Sequence, residues 1–141
     1  MPVNNLSSHV EALLATYRTD DFLILECVTT FNRRREELQA AISTLDADGI
    51  YYKARSLWFA VHSLTLHPSL RRGLNEQLCE ELKQEFTAAA ETIAQIPADG
   101  SAATEKMMMI IQNWAASMEE LGRGGSLTEA VRIAEASFKS R

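Results

Sequence analysis

Three histidines, two cysteines and a run of three methionines are the residues of this chain with the widest chemical reach. Histidine and cysteine hold metals when several converge, and a helix achieves this by placing ligands three or four residues apart. His9 stands alone near the start, and neither His62 nor His67 has a carboxylate three or four residues away. HExxH and ExxH pairs are therefore absent, and di-iron, hemerythrin-like and haem sites lack their ligands. The expectation is no metal and no cofactor. No GxGxxG, Walker-type or GxSxG motif is present to cradle phosphate or to raise a nucleophile. Cys27 and Cys79 lie inside helical patterns beside apolar residues without a CxxC spacing, so both are expected as buried thiols. No catalytic residue is nominated, and the chain reads first as a non-enzyme; the alternative is a small enzyme or ligand-binding bundle, which predicts a closed pocket lined by polar groups as well as apolar ones.

His62 carries one further chemistry. Ala60-Val61-His62-Ser63-Leu64 resembles the start of the histidine phosphotransfer motif, in which an exposed helical histidine accepts a phosphoryl group. That family continues with a lysine and a glycine, where Thr65 and Leu66 stand here. The resemblance implies an exposed His62 with a cation such as Lys53 or Arg55 in reach. The alternative is an ordinary core-edge histidine whose imidazole is hydrogen-bonded. Met107-Met108-Met109-Ile110-Ile111 covers most of a helix circumference, so all of it cannot face one core. Methionine adapts to irregular surfaces. Met107, Met108, Met109, Trp114 and Trp58 are accordingly the candidate contacts for a protein partner, with core packing as the competing reading.

Composition narrows the partners. The chain has 141 residues, 46% of them hydrophobic and 23% charged, enough apolar material for one domain with a real core. A net charge of -5 repels a phosphate backbone, and the one dense basic run, Arg33-Arg34-Arg35, is followed at once by Glu36 and Glu37. It reads as a solvated helix face with an Arg33–Glu37 pair, and no nucleic acid is expected. The first six residues carry no basic or apolar leader pattern. The longest apolar runs, 22–25 and 57–61, fall far short of the roughly 20 residues that span a bilayer. A cytoplasmic chain with no membrane span is expected.

The elements that must position these residues are helices. Apolar residues recur at three- and four-residue steps throughout, without strand-like alternation. A first helix over 6–17 carries Val10, Leu13, Leu14 and Tyr17. A second begins at Thr19-Asp20-Asp21 and runs through Ile24, Val28, Phe31, Leu38, Ile42 and Leu45, with Arg35 as the one gap. The third, 50–67, is apolar nearly all round and is expected at the centre of the bundle. Pro68 ends it, and Ser69 caps a fourth through Leu70, Leu74, Leu78, Leu82, Phe86 and Ile93 to Pro97. A fifth starts at Ser101 or Thr104 and reaches Leu121. Gly122–Gly125 is a hinge, and Ser126-Leu127-Thr128-Glu129 is a capping box opening a last helix through Phe138. The expected fold is an all-α, mostly antiparallel bundle of five to six helices in one domain, 1–141. Within it, 1–121 forms the main bundle and 126–140 a hinged C-terminal helix.

Part of this pattern is similar to a known family. Ala54-Arg55-Ser56-Leu57-Trp58 resembles the Asn-Arg-x-Leu-Trp signature of FlaF-type flagellin-synthesis regulators. Glu26 upstream, His67-Pro68-Ser69-Leu70-Arg71, and Ile110-Ile111-Gln112-Asn113-Trp114 ending at Leu121 occupy comparable places. Ala54 replaces the asparagine, Glu120 replaces the terminal glycine of that family, and the last twenty residues have no counterpart there. The resemblance implies a small helical protein that acts on flagellin expression or export by binding proteins, without catalysis. The residues themselves lead to the same class: an adaptor, secretion chaperone or regulator that holds a partner helix. The apolar helix surface exceeds what a chain of this length readily buries, so a homodimer is expected.

Overall fold

A computed structural model describes residues 22–66, 71, 74–96 and 102–136. They form five helices and, among the described residues, no strand: α1 Phe22–Ile42, α2 Ala47–Thr65, α3 Glu76–Gln95, α4 Ala102–Gly122 and α5 Leu127–Ala134. The expected all-α architecture is present. The helix over 6–17, the Thr19–Asp21 cap, His9, His67, Pro68, Ser69, Leu70, Pro97 and Phe138 lie outside the described residues. No helix among the described residues is long and apolar enough to cross a membrane.

The helices form two antiparallel hairpins. In the first, Glu37 meets Lys53 at 3.6 Å and Arg34 Nη1 donates to the Ser56 carbonyl at 2.9 Å. Each pair of residue numbers adds to the same total, which is the register of two antiparallel helices. In the second, Phe86 tilts against Trp114 and Lys83 faces Glu119 at 3.7 Å. Val28, Phe31, Leu38, Leu57, Val61, Leu82, Phe86, Ile111 and Met118 meet in the shared core. Tyr51 of α2 stacks on Trp114 of α4 with centroids 5.8 Å apart, so the hairpins are joined through aromatic faces.

Caps explain where several helices begin. Asn75 accepts from the Leu78 amide at 2.9 Å and starts α3. The expected stripe from Leu70 is therefore divided, with buried Leu74 lying before the cap. An asparagine oxygen satisfies a backbone N–H that the first turn leaves open. Ser126 accepts from the Glu129 amide at 3.0 Å. The reciprocal arm of the expected capping box goes elsewhere, because the Glu129 carboxylate pairs with Arg132 at 3.0 Å and 2.5 Å. α1 stops at Ile42, short of Leu45, which has φ 58° and an exposed side chain. The turn after α1 takes a left-handed residue, and leucine fills that place.

α5 packs back on α4. Ala130 and Ala134 are wholly buried, and Ser117 Oγ donates to the Ala130 carbonyl at 2.7 Å inside that contact. Arg71 Nη2 donates to the Gly125 carbonyl at 3.0 Å. Gly124, at φ 87°, turns the chain between the two helices.

Candidate functional site

Of the Arg33–Arg35 run, Arg33 is exposed and Arg34 half-buried, and the expected solvated face fails at Arg35. Arg35 is 1% exposed and lies in the gap of the α1 stripe, where it crosses to α3. Its Nε donates to Glu85 Oε1 at 3.0 Å and Oε2 at 3.1 Å, its Nη2 bonds Glu85 Oε2, and Glu81 stands 3.5 Å away. Phe31 supplies a ring face 5.7 Å from the guanidinium carbon. The sequence pattern treated the position as a break because it weighed polarity and not length. A long arginine reaches a carboxylate one helix away and buries its stem. Burial raises the Glu85 carboxyl above the ordinary glutamate range, and the charge and hydrogen bonds of Arg35 pull in the opposite direction. Asn32 Oδ1 and Arg35 Nη1 are buried with no hydrogen-bond partner among the described residues. An open cleft of about 410 Å³ lined by Arg35, Gln39, Glu81, Gln84 and Glu85 borders the cluster. The cluster ties the two hairpins in one register, and a single guanidinium between two carboxylates nominates no reaction.

The other sequence candidates fall on both sides of the surface. Trp114 and Trp58 are buried core residues and present no contact surface. Of the methionine run, Met108 packs on the core, Met107 is half-buried, and Met109 is 53% exposed. The run is thus divided around the helix, as its length required, and it leaves one open methionine where a strip was expected. His62 is half-buried, with its ring 6.3 Å from Trp58. The two cations considered for it are engaged elsewhere: Lys53 with Glu37, and Arg55 over the Phe59 ring at 5.1 Å. Cys79 is buried and Cys27 half-buried against the core. Burial pushes the Cys79 thiol up to about 11 despite the positive charge of Arg71. Among the described residues no group of three or more histidine, cysteine or acidic side chains could hold a metal ion.

The feature that the sequence pattern missed is on α2. This helix is buried on one face only, through Ile50, Ala54, Leu57, Trp58, Val61 and Leu64. The expectation that it lies at the centre is corrected: Tyr52 is 58%, Phe59 48% and Leu66 62% exposed. These three stand seven residues apart, so at about 100° per residue they fall on one line opposite the buried stripe. Beside them runs a second line of half-buried small residues, Gly49, Ser56 and Ser63, also seven apart. Ser63 Oγ donates to the Phe59 carbonyl at 3.0 Å, so its hydroxyl needs no other partner. The signal was present in the spacing, since the six positions alternate by three and four residues. It was hidden because a helix apolar on both faces reads as a buried one.

A scan against protein-family models and searches of curated proteins and of solved structures return no match for this chain.

Proposed function

We propose that this protein is a non-enzymatic interaction module, an adaptor, secretion chaperone or regulator that receives a partner helix on the outward face of α2. The observation that supports this reading most is the open line Tyr52, Phe59 and Leu66. Large apolar side chains repeated along one exposed face are what helix-in-groove recognition uses as anchors. Aromatic anchors lose little rotamer freedom on binding, which favours Tyr52 and Phe59 as the energetic centre. Arg55, held over Phe59, shields that ring in the unbound protein and offers a cation to an acidic partner.

The likeness to FlaF-type regulators supports a role in flagellin expression or export through protein binding. Within the signature-like stretch, Leu57 and Trp58 are core residues, so the surface available to a partner there is Arg55 and Ser56. The experiment is affinity capture from the native cell with wild type and with a Phe59→Glu/Leu66→Glu variant, read by mass spectrometry. A protein retained at near-stoichiometric level by wild type and lost by the variant supports the reading. Identical captured sets overturn it, provided both proteins show equal helical circular dichroism.

A further inference from the structure

We infer that residues 6–17 of this chain lie along the outward face of α2 in the unbound protein, parallel to that helix, and that a partner must displace them to bind. This rests on the reading that the face receives a helix, and it adds a regulator carried by the same chain. Residues 6–17 lie outside the described ones; their pattern and the place where α1 begins fix what they can reach. Glu37 stands level with Lys53, and Arg34 with Ser56. By that register Phe22, the first residue of α1, lies just beyond the Leu66 end of α2. Arg18, Thr19, Asp20 and Asp21 separate Tyr17 from Phe22. Extended, this link reaches about 17 Å, against about 8–10 Å between the axes of neighbouring helices. It is long enough to turn the chain back, so that Tyr17 starts at Leu66 and Leu6 lies towards Tyr52.

The two patterns match in interval and in charge. Val10 and Tyr17 are seven residues apart, as are Leu6 and Leu13, with Leu14 beside them. Tyr52, Phe59 and Leu66 repeat at the same interval. Setting Tyr17 level with Leu66 sets Val10 level with Phe59, and Leu13 and Leu14 level with His62 and Ser63. Apolar residues in step at seven-residue intervals are what joins parallel helices along a seam. Glu11 is the one carboxylate within 6–17 and stands on the flank of the stripe. In this register it comes within one residue of the level of Phe59, on the side of Arg55, whose guanidinium lies 5.1 Å from that ring. The other large exposed apolar side chains among the described residues, Leu45 and Met109, stand singly. Leu45 lies beyond the opposite end of α1, about 30 Å from Phe22. The contact is small, roughly 18 Å long, and would not hold two separate chains together. A short tether removes that requirement, because it supplies an effective concentration in about the millimolar range. An occupant present about nine-tenths of the time lowers the apparent affinity of a partner about tenfold.

The test is photo-cross-linking within the purified full chain. A photoreactive phenylalanine analogue at position 59, illuminated at about 1 µM where chains rarely meet, should link to residues 6–17 around Val10, and peptide mass spectrometry locates the adduct. In an equal mixture of isotopically light and heavy chains, the linked peptides should carry the same label. Glu11→Arg should lower the yield at least about threefold, and adding Arg55→Glu should restore it, as expected for two side chains in contact. Leu13→Glu/Leu14→Glu in the full chain should abolish the adduct and raise the fluorescence of an added hydrophobic dye as the face opens. A yield on 6–17 no higher than that from the analogue at Gln112 overturns the inference, and so do adducts that join light to heavy chains. A yield that ignores the charge exchange overturns the register. If position 59 gives no adduct on 6–17 while a protein is still captured from cells through Phe59, this inference alone falls and the proposed function stands.

Discussion

Replacing Arg35 by methionine tests the interior of the bundle, because it removes a charge and keeps most of the stem that packs on Phe31. At pH 7 the variant should lose about 3–5 kcal/mol of stability, the range for leaving one member of a buried ion pair behind. The geometry supports a value of this size. The guanidinium is 1% exposed and bonds Glu85 through Nε at 3.0 Å and 3.1 Å. An attraction over about 4 Å at an effective dielectric near 20 amounts to about 4 kcal/mol. Glu85 would remain buried and charged beside Glu81, its carboxyl driven higher still by the loss of the partner that holds it down. A carboxyl raised in the folded state costs nothing below its unfolded value near 4.3, and destabilises as pH climbs through the raised value. The deficit of Arg35→Met should therefore shrink between pH 7 and pH 5. A second substitution, Glu85→Leu, should recover most of the loss at pH 7, since well-packed apolar replacements of such pairs are often neutral. Urea unfolding followed by tryptophan emission reads all three, as Trp58 and Trp114 are buried. A variant within about 0.5 kcal/mol of wild type, or a deficit that ignores pH, would mean that the Arg35–Glu85 pair does not hold the bundle interior in this way.

Other substitutions probe the boundaries of the elements. Asn75→Ala should cost about 1 kcal/mol by removing the cap of α3, and an unchanged urea midpoint would show that the Leu78 amide finds another acceptor. Ala130→Leu forces a large side chain into the wholly buried contact beside Ser117. It should cost about 1–3 kcal/mol and speed proteolysis within Gly122–Gly125, while equal cleavage rates would contradict the docking of α5. The Cys79 thiol, pushed up to about 11, should react with a disulfide reagent at pH 8 about 100-fold more slowly in native than in urea-unfolded protein. Its linkage also has a sign: unfolded chains lose this proton above about 8.5. Stability should then fall from about pH 8.5 towards 11, and a flat profile there would remove Cys79 as the cause.

Much of the architecture was legible because it is periodic. Val28, Phe31 and Leu38, then Leu78, Leu82 and Phe86, lie buried where their spacing put them, and Ser126 caps α5 as its type demands. What stayed hidden depends on tertiary partners or on competing local signals. Arg35 looks like surface until Glu81 and Glu85 arrive from another helix. The start of α3 moved because the Asn75 cap interrupts an apolar stripe that periodicity alone would continue. Leu45 is exposed because the turn into α2 needed a left-handed residue more than the core needed a leucine. The candidate site was the hardest to read. Trp58 and Trp114 have the residue type of binding anchors, yet their size makes them useful core residues, and burial is decided by the helix opposite. Tyr52 and Phe59 share their helix with a largely apolar buried stripe, and Leu66 caps its end, so only the packing of α1 and α4 shows which of its two faces is left open.

Photo-cross-linking in the native cell is the most direct test of that open face. A photoreactive phenylalanine analogue at position 59 or 66 should give a discrete adduct with a single partner protein. The same analogue at Gln112, exposed on α4, should give none. Adducts of equal yield at all three positions, or none at 59 and 66, would contradict the account of α2 as the surface through which this protein acts.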